Sequence, residues 1–164
     1  MSTRTYISVI GPADPPPHLY AHAYELGRQL ANASATVVCG GLDGIMEAVA
    51  KGAAERDGVV VGLLPTLDRT TANPYVTVAI PTGLGELRNG LVVRAGDAVI
   101  AIGGSWGTMS EVALAIRTGV PVILLDSWAV VDSAGTDVAQ GIRVQSPGEA
   151  VAAALKAVAA TGPQ

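Results

Sequence analysis

The sequence has no phenylalanine; it also has one cysteine and few charged residues, and each of these two shortages excludes something. A lone thiol, Cys39, cannot build a disulfide scaffold. Charged side chains are 15% of the chain and sum to −4, so the bulk electrostatics attract no nucleic-acid backbone and no nucleic-acid partner is expected. Any phosphate this protein holds must be held locally, against the overall charge. Long apolar runs are missing too. The longest, Val59–Pro65, Ala98–Ile102 and Val120–Leu125, have strand length rather than the roughly 20 residues of a spanning helix, so no membrane span is expected. Met1-Ser2-Thr3-Arg4 leads straight into a strand-like run, without the apolar core and small-residue cleavage site of a signal peptide, which makes a cytoplasmic location the expectation.

What is present is small and apolar. With 164 residues, 49% of them hydrophobic and 20 of them glycine, the chain is sized for one domain with a full core. β-Branched runs alternate with segments of helical period. The pattern predicts strands at Thr5–Ile10, Thr36–Cys39, Val59–Leu64, Val76–Ile80, Ala98–Ile102, Val122–Leu125 and, briefly, Ile142–Val144. Helices are expected over His18–Ala31, Ile45–Glu55, Leu84–Ala95 and Thr108–Thr118, with Gly119 as a left-handed stop. A last helix opens on the capping box Ser146-Pro147-Gly148-Glu149 and frays from Thr161. Such alternation specifies an α/β class, a doubly wound parallel sheet flanked by helices, as a single domain over residues 1–164. Its ligands bind outside the carboxyl ends of the strands.

Three predicted strands end there in glycine-rich loops that enter helices: at Gly11, at Gly40-Gly41-Leu42-Asp43-Gly44 and at Gly103-Gly104-Ser105-Trp106-Gly107. Unpaired N–H groups and the positive end of a helix dipole favour an anion at such a place. No Gly-Lys-Ser/Thr follows, and the spacing is not that of a dinucleotide fingerprint, although Asp126 ends the next strand where a ribose would be held.

Thr108 and Glu111 carry two readings. Thr-x-x-Glu at a helix start is a capping box, which accounts for both residues; alternatively Thr108 binds phosphate and Glu111 holds ribose hydroxyls or acts on a glycosidic bond. Arg88 resists a bland account. At about 100° per residue from Leu84 it falls at about 40°, inside the arc of Leu87, Leu91, Val92 and Ala95, whereas Glu86 falls opposite. A guanidinium on an inward face needs a carboxylate or an anionic ligand. His18 and His22, one turn apart, are half of a metal site that nothing completes, so no metal is expected. Cys39 reads as a small buried hydrophobe, and Trp106 and Tyr75 as either packing residues or stacking surfaces. Val93 and Leu114, apolar and turned off their own stripes, suggest a dimer contact.

The segments Gly40-Gly41-Leu42-Asp43-Gly44-Ile45-Met46-Glu47-Ala48, Ala72-Asn73-Pro74-Tyr75, Pro81-Thr82-Gly83-Leu84-Gly85-Glu86-Leu87-Arg88-Asn89 and Gly103-Gly104-Ser105-Trp106-Gly107-Thr108-Met109-Ser110-Glu111 together resemble the LOG (Lonely Guy) superfamily, most closely its molybdenum cofactor carrier-like branch. The resemblance runs from about Ile7 to Leu125. It implies a Rossmann-like fold, a homodimer and a phosphorylated small-molecule ligand. LOG enzymes hydrolyse nucleoside 5′-monophosphates, notably cytokinin ribotides, to free base and ribose 5-phosphate. The family's catalytic arginine and glutamate match Arg88 and Glu111, and its phosphate cradle matches Gly104, Gly107 and Thr108. Asn89 stands in place of the family's lysine, Gly103 in place of its proline and Ser110 in place of a further glutamate, variants found in the carrier branch. Some members carry the label lysine decarboxylase, but neither Lys51 nor Lys156 sits in a Schiff-base setting.

The resulting expectation is a binding protein for a nucleotide-like or pterin-like phosphorylated molecule, with no required cofactor and an AMP-like nucleotide or the molybdenum cofactor as bound ligand. The alternative is a nucleoside 5′-monophosphate phosphoribohydrolase. Arg88 and Glu111 are the candidate catalytic residues; Gly11, Gly40, Gly41, Gly103, Gly104, Ser105, Gly107 and Thr108 are the candidate phosphate-binding set.

Overall fold

β-Branched and aliphatic residues fill seven strands: β1 (Tyr6–Ile10), β2 (Thr36–Cys39), β3 (Val60–Leu64), β4 (Val78–Pro81), β5 (Ala98–Ile102), β6 (Val122–Leu125) and β7 (Ile142–Val144). They alternate with helices α1 (Pro17–Asn32), α2 (Ile45–Ala54), α3 (Asn89–Ala95), α4 (Trp106–Thr118) and α5 (Pro147–Thr161). The structure, a computed structural model, describes residues 4–161; of the end expected to fray, Thr161 closes α5 and residues 162–164 lie outside the described range.

All seven strands pair in parallel, in the order β4-β3-β2-β1-β5-β6-β7. Chain direction across the sheet reverses between β1 and β5, where Ile7 pairs with Ala98 and Ile10 with Ala101. That switch point opens a crevice beyond the strand ends. Alternate residues of the central strands face two helix layers. Ile7, Val9, Ile100 and Ile102 pack with α1, α2 and α5; Ile10, Val38, Val99 and Ala101 pack with α3 and α4. Because both faces are covered, β2, β5 and β6 are buried throughout, which is why they read as unbroken apolar runs. The doubly wound α/β expectation holds.

The first layer is closed by an exceptionally near approach of α1 and α2. A Cβ on Gly27 would lie 2.1 Å from the Val49 carbonyl oxygen, and one on Gly52 would lie 1.9 Å from that of Tyr24. No side chain fits between these backbones.

The second layer departs from expectation. Leu84–Ala95 is not one helix: Gly85–Arg88 forms a 3₁₀ turn before α3, preceded by Gly83 at φ 67° and entered by Gly85 at φ 56°. The 3.6-residue count does not apply across that break. Leu84, Leu87 and Leu91, expected inside, are 46%, 82% and 44% exposed, whereas Arg88 and Val92 are buried as expected. Val93, expected on an outward face, is fully buried, and Leu114 is half-buried beside Gly90. The dimer contact read from that pair is used inside the chain.

Between β6 and β7 the chain makes an arm with one antiparallel bridge, Val131 to Asp137. Arg143 of β7 fastens it, donating to Asp137 Oδ2 at 2.8 Å and to the Ser127 and Trp128 carbonyls at 3.4 and 3.5 Å. Among the described residues, no helix is long and apolar enough to cross a membrane.

Candidate functional site

The ends of β1, β2 and β5 and the starts of α3 and α4 enclose a crevice of about 290 Å³. Gly11, Gly40, Arg88, Ser105, Gly107, Thr108 and Glu111 line it, together with Met46, Glu86 and Asn89. Residues spread over a hundred positions thus converge, as the strand-end argument requires.

Ser105 rather than Thr108 caps α4. Its Oγ accepts from the Thr108 N–H at 3.2 Å and lies 2.9 Å from Thr108 Oγ1. The helix therefore begins at Trp106, which puts Thr108 in its first turn and Glu111 in its second. The capping-box reading of Thr108 and Glu111 fails for that reason: a carboxylate so far along the helix has passed the orphan donors. At the last helix the box is real. Ser146 Oγ accepts from the Glu149 N–H at 3.2 Å, and the Glu149 carboxylate reaches back to the Gln145 N–H at 2.9 Å.

Freed from capping, Glu111 is a carboxyl 7% exposed in the wall of the crevice. Burial pushes its pKa up to about 7, with the positive charge of Arg88 pulling the other way. Arg88 is 8% exposed. Its guanidinium lies under Gly40, where a Cβ would come 2.6 Å from Nη2, and donates from Nη1 to Asn89 Oδ1, while Nε has no partner. Among the described residues no carboxylate forms an ion pair with it. A buried cation served by one neutral amide is short of negative charge. The adjacent N-terminus of α4 adds positive potential of the same sign.

The glycines divide by what occupies their missing side chains. Gly107 faces open space, with only Ser105 Oγ at 3.8 Å. At Gly11 a Cβ would meet Ile45 and the Ile102 carbonyl; at Gly41 (φ 74°) it would meet Leu64 and at Gly103 (φ 65°) Leu19. These three serve packing and turn geometry. At Gly104 the ring of Trp128 fills the place, 2.2 Å from the Cβ position. Gly41, Gly103 and Gly104 do not line the crevice.

Sequence reasoning missed two supporting residues. Asn89 was noticed only as a departure from a lysine, but its side chain is the acceptor for Arg88. Asn73, 7% exposed, stitches the Gly41–Leu42 loop in place: its N–H donates to the Gly41 carbonyl at 2.9 Å, Nδ2 to the Leu42 carbonyl at 2.8 Å, and Oδ1 accepts from the Tyr75 N–H at 3.1 Å. A buried asparagine in a loop beside proline was the available signal. The other candidates lie apart. His22 Nδ1 is 3.2 Å from Asp126 Oδ2, which occupies the carboxylate considered for a ribose, and no cluster fit to hold a metal occurs among the described residues. Cys39 is fully buried and its thiol is pushed up to about 11 by burial. Tyr75 packs against the core with Lys51 Nζ 6.0 Å above its ring.

The glycine inventory gives a prediction. Gly107→Ala should fold at least as stably as the natural chain, since alanine is favoured in a helix by up to about 1 kcal/mol. The added methyl enters the crevice, so affinity for inorganic phosphate or AMP, read by calorimetry, should fall at least about tenfold.

Comparison with known proteins agrees with this architecture. The model of the SLOG cluster4 family matches residues 4–151. A protein of Archaeoglobus fulgidus described as uncharacterized is 37% identical over 146 residues, spanning 88% of this chain and 91% of that one. The structure of the molybdenum cofactor binding protein from the phototrophic bacterium Rippkaea orientalis superposes with a TM-score of 0.86 at 33% identity, covering 97% of this chain and 99% of that one. The molybdenum cofactor carrier protein of Chlamydomonas reinhardtii gives 0.84 at 32% identity, covering 96% and 99%.

Proposed function

The chain belongs to the SLOG cluster4 family, within the LOG superfamily, and on that premise we propose that it binds a phosphorylated nucleotide-like or pterin-like small molecule between α3 and α4. The observation that carries the reading is Arg88: a buried guanidinium with no ion-pair partner among the described residues, beside the start of α4. The phosphate sits on the N–H groups of Ser105 and Gly107, with the Thr108 hydroxyl as a further donor; Arg88 compensates charge deeper in, and Glu111 holds hydroxyls of the attached sugar or its equivalent.

Two solved relatives are described as binding or carrying the molybdenum cofactor, which makes it one ligand to test and an AMP-like nucleotide the other. Cys39, fully buried with its thiol pushed up to about 11, offers no accessible thiolate to the metal of such a cargo. Native mass spectrometry of freshly purified protein tests the reading. A retained phosphorylated mass is expected, and failure to retain or rebind any phosphomonoester at millimolar concentration sinks it.

Glu111 favours a second reading, hydrolysis of a nucleoside 5′-monophosphate. A carboxyl with a pKa of about 7 is poised to exchange a proton at a glycosidic bond, while Arg88 steadies the charge that develops. Incubation with AMP and cytokinin ribotides, followed by chromatography, separates turnover from retention.

We assign the homodimer of this reading to Leu84, Leu87 and Leu91, which leave an apolar strip exposed on the elements that carry Arg88 and Asn89. Leu87→Glu should convert a dimer to a monomer in light scattering, with the melting temperature of the monomer fold little changed because Leu87 is 82% exposed.

A further inference from the structure

Both tryptophans of the chain meet beside Ser105 and Gly107, two residues that line the crevice. Trp106 is the first residue of α4, between Ser105 and Gly107, which line the crevice. It is 82% exposed, so its indole adds almost nothing to the core. Trp128 comes from the arm that follows β6 and stands edge-on to it, with ring centroids 5.4 Å apart and planes at 85°. Trp128 reaches this place because Gly104 has no side chain, and Arg143 holds it there through the Ser127 and Trp128 carbonyls and Asp137. An edge-to-face pair braces one indole and leaves a broad face of the other free.

We propose that Trp106, braced by Trp128, is the stacking platform for the planar heterocycle of the phosphorylated ligand, and thereby the residue that selects ligands with a flat ring. This rests on the phosphate site proposed above. The phosphate on the first turn of α4 fixes one end of the ligand, and the platform on the same turn receives a ring that leaves the crevice. Purines and pterins share the chemistry that such a surface recognises, an electron-poor aromatic face, and stacking tolerates either.

Because no tryptophan lies elsewhere in the chain, tryptophan fluorescence excited on the long-wavelength side of tyrosine absorption reports on this pair alone. AMP and neopterin monophosphate should quench it; ribose 5-phosphate, which has no ring to stack, should not. In calorimetry AMP or neopterin monophosphate should bind at least about tenfold more tightly than ribose 5-phosphate, and the tighter of the two names the heterocycle. Trp106→Ala should erase that advantage and leave ribose 5-phosphate affinity unchanged, while Trp106→Phe should restore most of it. An advantage that survives in Trp106→Ala, or equal losses for all three ligands, overturns the platform and leaves the phosphate site standing. If none of the three binds the natural chain, the phosphate reading fails and takes the platform with it.

Discussion

Replacing Arg88 with methionine should weaken phosphomonoester binding by roughly 30- to 1000-fold and at the same time raise the melting temperature of the empty protein. The two effects share one cause. Without ligand the guanidinium is 8% exposed, lacks an ion-pair partner among the described residues, and satisfies itself on a neutral amide. A buried ion held this way costs several kcal/mol of solvation, so methionine, which keeps an unbranched apolar stem beside Gly40 and Met46, should stabilise by about 1–3 kcal/mol. For a chain of this size each kcal/mol moves the melting temperature by about 2–4 °C. With ligand the balance inverts, because a charge-assisted pair to phosphate is removed and its other member stays desolvated, at a cost of roughly 2–4 kcal/mol. The melting comparison belongs at pH 6, where Glu111 is largely protonated and does not feel the loss of its neighbouring cation. A variant that melts lower and binds as before makes Arg88 a structural residue.

Glu111→Gln has the second large effect, and pH separates its parts. The carboxyl has a pKa of 4.5 in an open chain and about 7 in the fold. Below about 4.5 both states hold the proton and the fold bears no penalty; the penalty grows as pH rises toward 7 and is constant above, at roughly 3 kcal/mol. Glutamine should therefore melt nearly with the natural chain at pH 5 and on the order of 5–10 °C above it at pH 8. Ligand binding runs through the same proton. A phosphate dianion nearby raises the carboxyl pKa further, so binding above pH 7 takes up a proton. Affinity for AMP should fall between pH 7 and 9 in the natural chain, by at most about tenfold per pH unit, and stay level in the glutamine variant. If ribotides are hydrolysed, the same substitution should abolish release of free base.

Much of this was legible in the chain, for identifiable reasons. β2, β5 and β6 fall where the periodicity puts them, because central strands covered on both faces must be apolar at every position. Arg88 was legible as an inward cation because charge on an apolar face is rare enough to be informative. The break at Gly85 was hidden, since a glycine at positive φ looks the same in a sequence as a glycine within a helix that tolerates it. That single break placed Val93 on the wrong side and concealed Leu87. The cap of α4 was misplaced by a coincidence of spacing: Thr108 and Glu111 satisfy the capping pattern, but Ser105 comes first along the chain and takes the role. Trp128 was illegible as the neighbour of Trp106 because the arm that carries it follows no period, and only the missing side chain of Gly104 brings it in.

The backbone contact of α1 with α2 at Gly27 and Gly52 leaves those helices no room to slide. The loop that enters α2, with Gly40 over Arg88, is thus set before any ligand arrives. Ligands meeting a preformed wall differ little in how fast they enter and mainly in how long they stay. If the protein holds a phosphorylated molecule as proposed, the dwell time becomes the quantity under selection, and the stiffness of a helix pair remote from the chemistry lets a few crevice side chains set it.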